Sequence, residues 1–385
     1  MIDDNSLNAF AAPGGVIGIN GGLFLYAENE GQFASVLAHE LAHLSQRHFA
    51  RNVLYSKDNN LASVLVMVSA MAAAVATNNP NAFMAGPAFL QQQSLRYSRL
   101  FEREADRVGF NNLINAQYDP SSMGEMFEQM AKMRRLAGDN IPEFLLTHPI
   151  SSSRVADAFN AADQVESQYS KKDSLDYQLI RGRLRIKYEE IPLNAIRKIQ
   201  GIIKDDPSNE NRYALAVAYK RGNKYQDSLD MIDDLINEHP KNLILQNTKA
   251  EILLDKGDAE EALKIVNNAL NISTKNFPLS VLKAKILSYK KELFAAEEII
   301  RDQLLRRNTD PYLWLYLSEI QRDSKNVVGY HRSRAEYFLL LGQYEDALNQ
   351  LQFALKLTEN NFQISESIMT KINTTRKIIE GTRGQ

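Results

Sequence analysis

The stretch FASVLAHELAHLS, residues 33–45, carries the pattern that decides the fold around it. Apolar residues recur along it at helical spacing, and Asn29 followed by Gln32 provides a capping pair just before it. The stretch therefore predicts a helix that begins near residue 30. Its expected apolar stripe consists of Phe33, Val36, Leu37, Leu41 and Leu44.

Two histidines on this predicted helix, His39 and His43, are four residues apart. Their imidazoles would project from one face about a turn apart, so that two neutral nitrogens could bind one zinc ion. Glu40 could then remove a proton from the attacking water without binding the metal. The sequence contains no cysteine, so a metal must be held by His, Asp or Glu. A chance match on an ordinary amphipathic helix is the alternative; the pattern favours one Zn²⁺ per chain in a hydrolytic site.

A catalytic zinc ion needs a third protein ligand, and Glu102 is the best candidate. It lies on a charged helix predicted from about residue 90 to 113, and Asp106 faces the same way four residues later. Asp106 is therefore suited to orient His39 or His43. The alternative is a solvated charged face, but the histidine pair favours the ligand interpretation.

Two further histidines are assigned differently. His48 is nine residues beyond His39, about half a turn out of phase on the same predicted helix, so it should face away from the metal in a structural role. His148 precedes Pro149 in a polar loop and is either incidental or a further metal ligand. If it reached the metal, it would fill the open position and make the enzyme latent.

Residues 1 to about 28 have β character. Two apolar runs, residues 16–19 and 23–26, flank Asn20-Gly21-Gly22, which favours a type I′ turn and predicts a hairpin. Residues 59–95 contain no charged side chain, but the apolar run at 61–76 is short for a membrane span. It could be a buried helix beside a loop, or a flap that faces substrate or contacts a membrane surface peripherally.

Everything after about residue 172 is predicted to be helical and repetitive. Small residues recur at a spacing of 34 in two series, which are Ala216, Ala250 and Ala284, and Ser228, Ala262 and Ala296. This spacing is typical of tetratricopeptide repeats, in which small residues let two helices pack closely. We therefore expect a mainly α protein, with a zincin-like α+β domain over residues 1–168 and an α-solenoid of tetratricopeptide repeats over 172–380.

The formal net charge of −2 and the pI of about 6.4 give no reason to expect nucleic-acid binding. No export signal is visible, and residues 1–11 resemble the middle of a domain, so we expect that a preceding portion is missing.

Taken together, these residues resemble the gluzincin-type metallopeptidases of the BepA and HtpX group. The shared pattern consists of DD at 3–4, NAFA at 8–11, PGG at 13–15, HELAH at 39–43 and Glu102 with Asp106. THP at 147–149, SSR at 152–154 and the repeat array resemble the BepA-like periplasmic branch. The resemblance implies His39, His43 and Glu102 as zinc ligands, Glu40 as the base and His148 as a regulatory fourth ligand. It also implies periplasmic residence.

Two functions follow as hypotheses. The first is a zinc endopeptidase that captures an extended chain along an edge strand near residues 8–11. Its substrates would be misfolded or misassembled proteins, above all outer-membrane β-barrel clients. The repeat array would bind the client or the assembly machinery, and His148 could impose autoinhibition. The second is a chaperone or scaffold whose array does the main work while the zinc site stays largely latent.

Overall fold

The protein is described by a computed structural model that covers residues 1–12, 14–55, 99–138, 140–165, 171–358 and 361–383. These residues divide into two compact units, Met1–Ala214 and Leu215–Gln385. The predicted fold class is confirmed, because a mainly helical unit with one small sheet is followed by successive pairs of helices. The predicted functional boundary at 168–172 stays a prediction. The charge-free segment 59–95 lies outside the described residues, and so do the predictions made for it.

The first unit contains one two-stranded sheet and nine complete helices among its described residues. In chain order these are β1 (Ala9–Ala12), β2 (Val16–Ile19), α1 (Gly22–Tyr26), α2 (Glu30–Ser45), α3 (His48–Tyr55), α4 (Arg99–Asn115), α5 (Ser121–Leu136), α6 (Glu143–Thr147), α7 (Ser152–Asp163), α8 (Leu175–Lys187) and α9 (Pro192–Ile202). The next helix, α10 (Asn209–Arg221), spans the boundary between the units.

The hairpin lies earlier in the chain than the sequence pattern predicted. Strands β1 and β2 pair antiparallel, with Ala9 opposite Ile19, and the turn between them uses Gly14 and Gly15 at φ 89° and 80°. The prediction of a turn at residues 20–22 followed by a strand is wrong, since residues 22–26 form α1. Gly21 has φ −58°, in the right-handed region, so the positive φ angles of a type I′ turn are not adopted there.

Helix α2 begins where the capping pair predicted. The Asn29 side chain accepts a hydrogen bond of 2.8 Å from the backbone N–H of Gln32. The predicted apolar stripe is wrong at Leu41, which is 48% exposed, because the face that carries His39 and His43 is the buried one. A polar face turned inward needs partners from the surrounding helices.

Those partners come from α4, which packs closely against α2. Gly109 allows this approach, because a Cβ atom at that position would lie 3.1 Å from the Cα of His39. Helices α5 and α7 and strand β1 complete the surroundings of α2 and α4. The buried apolar core of the unit includes Leu7, Leu23, Val36, Leu113, Met123, Met126, Phe127, Met130, Phe144 and Leu145.

Helix α8, which the sequence analysis assigned to the repeat array, packs within the first unit. The Tyr177 ring is buried and lies 5.7 Å, centroid to centroid, from the rings of both Phe24 and Phe33. Arg181 Nε donates to the carbonyl oxygen of Phe24 at 3.0 Å, and the Tyr188 hydroxyl donates to that of Asp4 at 3.1 Å. These contacts join α8 to α1, α2 and the residues before β1.

The second unit begins within α10 and continues as paired helices. They are α11 (Tyr225–Glu238), α12 (Leu243–Lys256), α13 (Ala259–Ile272), α14 (Phe277–Tyr289), α15 (Leu293–Leu304), α16 (Pro311–Asp323), α17 (Val327–Leu340), α18 (Tyr344–Lys356) and α19 (Phe362–Arg383). The six small residues of the two sequence series are all fully buried. Ser228 also donates to the carbonyl oxygen of Ala216 at 2.7 Å, so the helices meet at the predicted small residues. Within the described part of the chain, no helix combines the length and the apolar character that a membrane crossing requires.

Candidate metal centre

Four side chains from three helical segments converge at one buried point. They are His39 and His43 of α2, Glu102 of α4 and His148 at the end of α6, and one nitrogen or oxygen from each lies within 4.8 Å of all the others. Each of the four residues is at most 3% exposed. The structure therefore brings together the residues that the sequence analysis grouped as candidate ligands; their role as ligands is taken up below as a proposal.

The spacing of these atoms fits a small tetrahedral cation. His39 Nε2 lies 3.0 Å from His43 Nε2 and 3.6 Å from Glu102 Oε2, and His43 Nε2 lies 3.5 Å from Glu102 Oε1. Ligands about 2.0–2.1 Å from a tetrahedral zinc ion are roughly 3.3 Å from one another. The donor set of two imidazoles and one carboxylate is also one that zinc accepts.

The electrostatics of the cluster favour a positive charge at its centre. Burial alone would raise the pKa of Glu102, but the neighbouring His148 and His39 hold it well below its ordinary value. Burial opposes a charge on His39, yet the Asp106 and Glu102 carboxylates raise its pKa to about 10. Burial, with the neighbouring His39 and His148, lowers the pKa of His43, so this imidazole is neutral and can offer a lone pair to a cation.

Asp106 holds the far side of the His39 ring. His39 Nδ1 lies 3.1 Å from Asp106 Oδ1, which leaves Nε2 directed at the cluster. Arg154 donates two hydrogen bonds of 2.7 Å to the same carboxylate, and its Nη1 lies 2.9 Å from Glu102 Oε2. One buried guanidinium thus fixes both the carboxylate that orients His39 and the carboxylate within the cluster.

Glu40 lies beside the cluster but is not one of its four members. It is fully buried, and the backbone of Ala11 in β1 lies close to its carboxylate. Burial raises its pKa, and the nearby His148 and His39 counteract only part of that effect. A buried carboxylate with a raised pKa is a stronger proton acceptor than an ordinary glutamate.

His148 reaches both Glu102 and Glu40. Its Nδ1 lies 3.0 Å from Glu102 Oε1 and 3.5 Å from His39 Nε2, while its Nε2 lies 3.5 Å from Glu40 Oε1. The backbone N–H of His148 donates to the carbonyl oxygen of Phe144 at 2.8 Å, and the two rings lie 4.8 Å apart. The His148 ring therefore lies next to both Glu102 and Glu40.

The prediction that His48 continues the helix of His39 is wrong, although His48 is not one of the four cluster members, as expected. Helix α2 ends at Ser45, Arg47 takes a left-handed conformation at φ 53°, and His48 starts α3 instead of continuing the same helix. The turn brings His48 Nδ1 to 2.9 Å from His43 Nδ1. A half-turn phase argument fails here, because it assumes an unbroken helix.

Two residues around the cluster were missed as functional candidates, Arg154 and His48. Arg154 appeared in the sequence analysis only as the last residue of the SSR pattern, without a role. The sequence offered a signal for both residues, because Arg154 lies within the SSR pattern and His48 follows HELAH by five residues. Only the tertiary structure shows that both are at most 5% exposed and contact cluster residues or their orienting partner.

The first part of the chain is similar to known peptidases. Residues 1–162 match the family model for peptidase family M48. The beta-barrel assembly-enhancing protease of Escherichia coli K12 is 30% identical over 275 residues, which cover 68% of this chain and 55% of that protein. The mitochondrial metalloendopeptidase OMA1 of Saccharomyces cerevisiae is 30% identical over 171 residues, which cover 44% of this chain and 47% of that protein.

The chain spans about half the length of these curated relatives. Among solved structures, a thermophilic tetratricopeptide repeat protein of Thermus thermophilus matches with 18% identity and a TM-score of 0.32, covering 51% of this chain and 98% of that one.

Proposed function

We propose that the chain is a zinc-dependent endopeptidase whose metal is held by His39, His43 and Glu102, since residues 1–162 match the family model for peptidase family M48. The observation that carries this proposal is the convergence of these three side chains at tetrahedral spacing beside the buried Glu40. The match to this family model and the likeness to a metalloendopeptidase support a metal, and the donor set and distances favour zinc over a larger, oxygen-seeking cation.

The residues around the cluster would divide the work of peptide hydrolysis. When bound, zinc would polarise the scissile carbonyl and acidify the attacking water. Glu40 accepts the proton of that water and passes it to the leaving amine. Asp106 keeps the Nδ1 proton of His39 in place, so that Nε2 remains a donor to the metal. Arg154 fixes the positions of the Asp106 and Glu102 carboxylates relative to each other.

The substrate would be an extended polypeptide lying along β1. Among the described residues β1 has one strand partner, β2, and a peptide could pair with its other edge. The Escherichia coli relative is named a beta-barrel assembly-enhancing protease, which supports β-barrel proteins as clients. The resemblance of the sequence to the periplasmic branch extends this proposal to β-barrels of the outer membrane and to residence in the periplasm. The helical repeats of the second unit would bind a client or a component of the assembly machinery.

His148 would keep this site latent. Three protein ligands leave one position open for chemistry, and a fourth imidazole in that position would exclude water and substrate. The 3.0 Å separation of His148 Nδ1 from Glu102 Oε1 supports this proposal. The same observation favours the second candidate function, a chaperone or scaffold with a largely silent metal site.

An assay with the full chain separates the two functions. The zinc-loaded protein is incubated with an unfolded β-barrel protein, with and without a chelator, and fragments are identified by mass spectrometry. Internal cleavage that requires the metal supports the endopeptidase. Prevention of client aggregation without any cleavage, also in the chain carrying His148→Ala, would favour the chaperone.

A further inference from the structure

A cavity of about 510 Å³ lies directly beside the candidate metal cluster and is lined by arginines. Glu102 forms part of its wall, and so do the residues that follow His148 in the chain, Pro149 to Ser151. Its volume is in the range of pockets that accept a small ligand or a side chain. We call this space the arginine cavity, after its four arginine residues, which are Arg99, Arg103, Arg134 and Arg154.

The arginine cavity has an excess of positive charge. Arg154 is neutralised by its close contacts with Asp106 and Glu102. The other three arginines are exposed, and no carboxylate of the described residues forms an ion pair with any of them. Glu102 is the one acidic residue among the described lining residues, and it already belongs to the metal cluster.

We infer that the arginine cavity binds a carboxylate group of the peptide substrate, either an acidic side chain near the cleaved bond or the C-terminal carboxylate. This inference rests on the proposed function, because it assumes that a peptide lies across the cluster. Glu102 contributes to both the cluster and the cavity wall, so a peptide at the cluster has its neighbouring residue at the mouth of the cavity.

The chemistry of the lining selects a carboxylate over a neutral group. A guanidinium offers parallel N–H donors that match the two oxygens of a carboxylate, and it remains charged at every physiological pH. Uncompensated arginines around one concave space also concentrate anions there by their summed field. A neutral amide of the same shape would gain neither effect, so the preference should be measurable between isosteric peptides.

The test uses three fluorescein-labelled peptides of one sequence, and measures their binding to the zinc-loaded full chain carrying Glu40→Gln by fluorescence anisotropy. One peptide has a central Glu and an amidated C-terminus, the second has Gln and a free C-terminus, and the third has Gln and an amide. We expect at least one carboxylate peptide to bind about tenfold more tightly than the neutral one at low salt. The peptide that shows the preference identifies the source of the carboxylate.

Substitutions then locate the preference. Arg103→Gln with Arg134→Gln should abolish it, whereas the matched control Arg107→Gln with Arg135→Gln removes the same charge outside the cavity and should retain it. Equal binding of all three peptides, no binding of any, or a preference that survives Arg103→Gln with Arg134→Gln would overturn the inference. Binding is measured with the Glu40→Gln chain and cleavage is measured separately. A preference without cleavage, by either the parent chain or the chain carrying His148→Ala, would refute only the endopeptidase. Cleavage without a preference would refute only the cavity.

Discussion

His48 Nδ1 lies 2.9 Å from His43 Nδ1, on the edge of the His43 ring that is turned away from the metal cluster. His43 Nε2 faces the cluster, so the ring can offer a lone pair there only if its proton sits on Nδ1. His48 Nδ1 is placed to accept that proton in a hydrogen bond. Its own Nε2 lies 3.2 Å from Glu104 Oε2, which Arg51 also contacts at 3.0 Å. His48 thus orients the His43 ring in the way that Asp106 orients the His39 ring.

We therefore predict that His48→Ala weakens zinc binding by about 10- to 100-fold, because the orientation and tautomer of His43 are no longer held. Competition with a chelating zinc indicator measures the affinity. His48→Asn, whose amide oxygen can accept the same hydrogen bond, should lose less. Circular dichroism of the metal-free variants controls for folding, since the His48 ring also stacks on Phe101. An unchanged zinc affinity in a folded His48→Ala variant would refute this role.

Glu40→Gln should lower the rate of peptide cleavage by about 10²- to 10⁴-fold while leaving zinc bound, since the amide cannot accept the proton of the attacking water. Cleavage of an unfolded substrate and metal content are measured on the same preparation. The matched control is Glu128→Gln, an exposed glutamate of α5, which should retain full activity. Full activity of Glu40→Gln would exclude Glu40 as the base.

His148→Ala should raise the rate of cleavage if the imidazole occupies the fourth position of the metal. Its Nε2 is 3.5 Å from Glu40 Oε1, so removal of the ring also frees the space in front of the base. Initial rates with a quenched fluorescent peptide provide the measurement. A variant that folds and binds zinc but cleaves no faster than the parent chain would contradict autoinhibition by His148.

The junction between α2 and α8 should weaken in acid. Glu30 accepts hydrogen bonds of 2.6 Å from the Ser174 backbone N–H and 2.9 Å from the Tyr118 hydroxyl. Burial alone would raise the pKa of Glu30, but these hydrogen bonds, with Lys171 nearby, lower it below its ordinary value. A lowered pKa in the folded chain means that the ionised carboxylate stabilises the fold above the unfolded pKa, about 4.3, and that this contribution disappears as the pH falls through the folded pKa.

At pH 7, Glu30→Gln should therefore reduce the free energy of unfolding by no more than about 1 kcal/mol, because the partly exposed carboxylate is screened by solvent. The difference from the parent chain should shrink as the pH falls below about 4.3 and the carboxylate becomes protonated. Urea unfolding between pH 3 and 7 measures it, and Glu28→Gln, an exposed neighbour, serves as the control. A difference that is constant over this range would show that the charge of Glu30 does not stabilise the junction.

Short-range spacing in the sequence predicted much of this molecule. The four-residue spacing predicted that His39 and His43 lie on one face of a helix, and both are buried on α2. The 34-residue repeat predicted paired helices that pack at small residues, and Ala250 is buried in one of them. The failures depend on backbone conformation or on distant contacts. The left-handed turn at Arg47 redirects His48, and no local pattern signals that turn. Arg154 reaches Asp106 across 48 residues, a contact that requires α4 and α7 to be packed.

The central claim is that His39, His43 and Glu102 hold a catalytic zinc ion. A crystal structure of the zinc-loaded full chain, with anomalous maps collected on both sides of the zinc absorption edge, tests it most directly. We predict one zinc peak bonded to His39 Nε2, His43 Nε2 and the Glu102 carboxylate, with either water or His148 as the fourth ligand. A zinc-loaded chain with no peak at this cluster, or with its zinc bound by other residues, would contradict the claim.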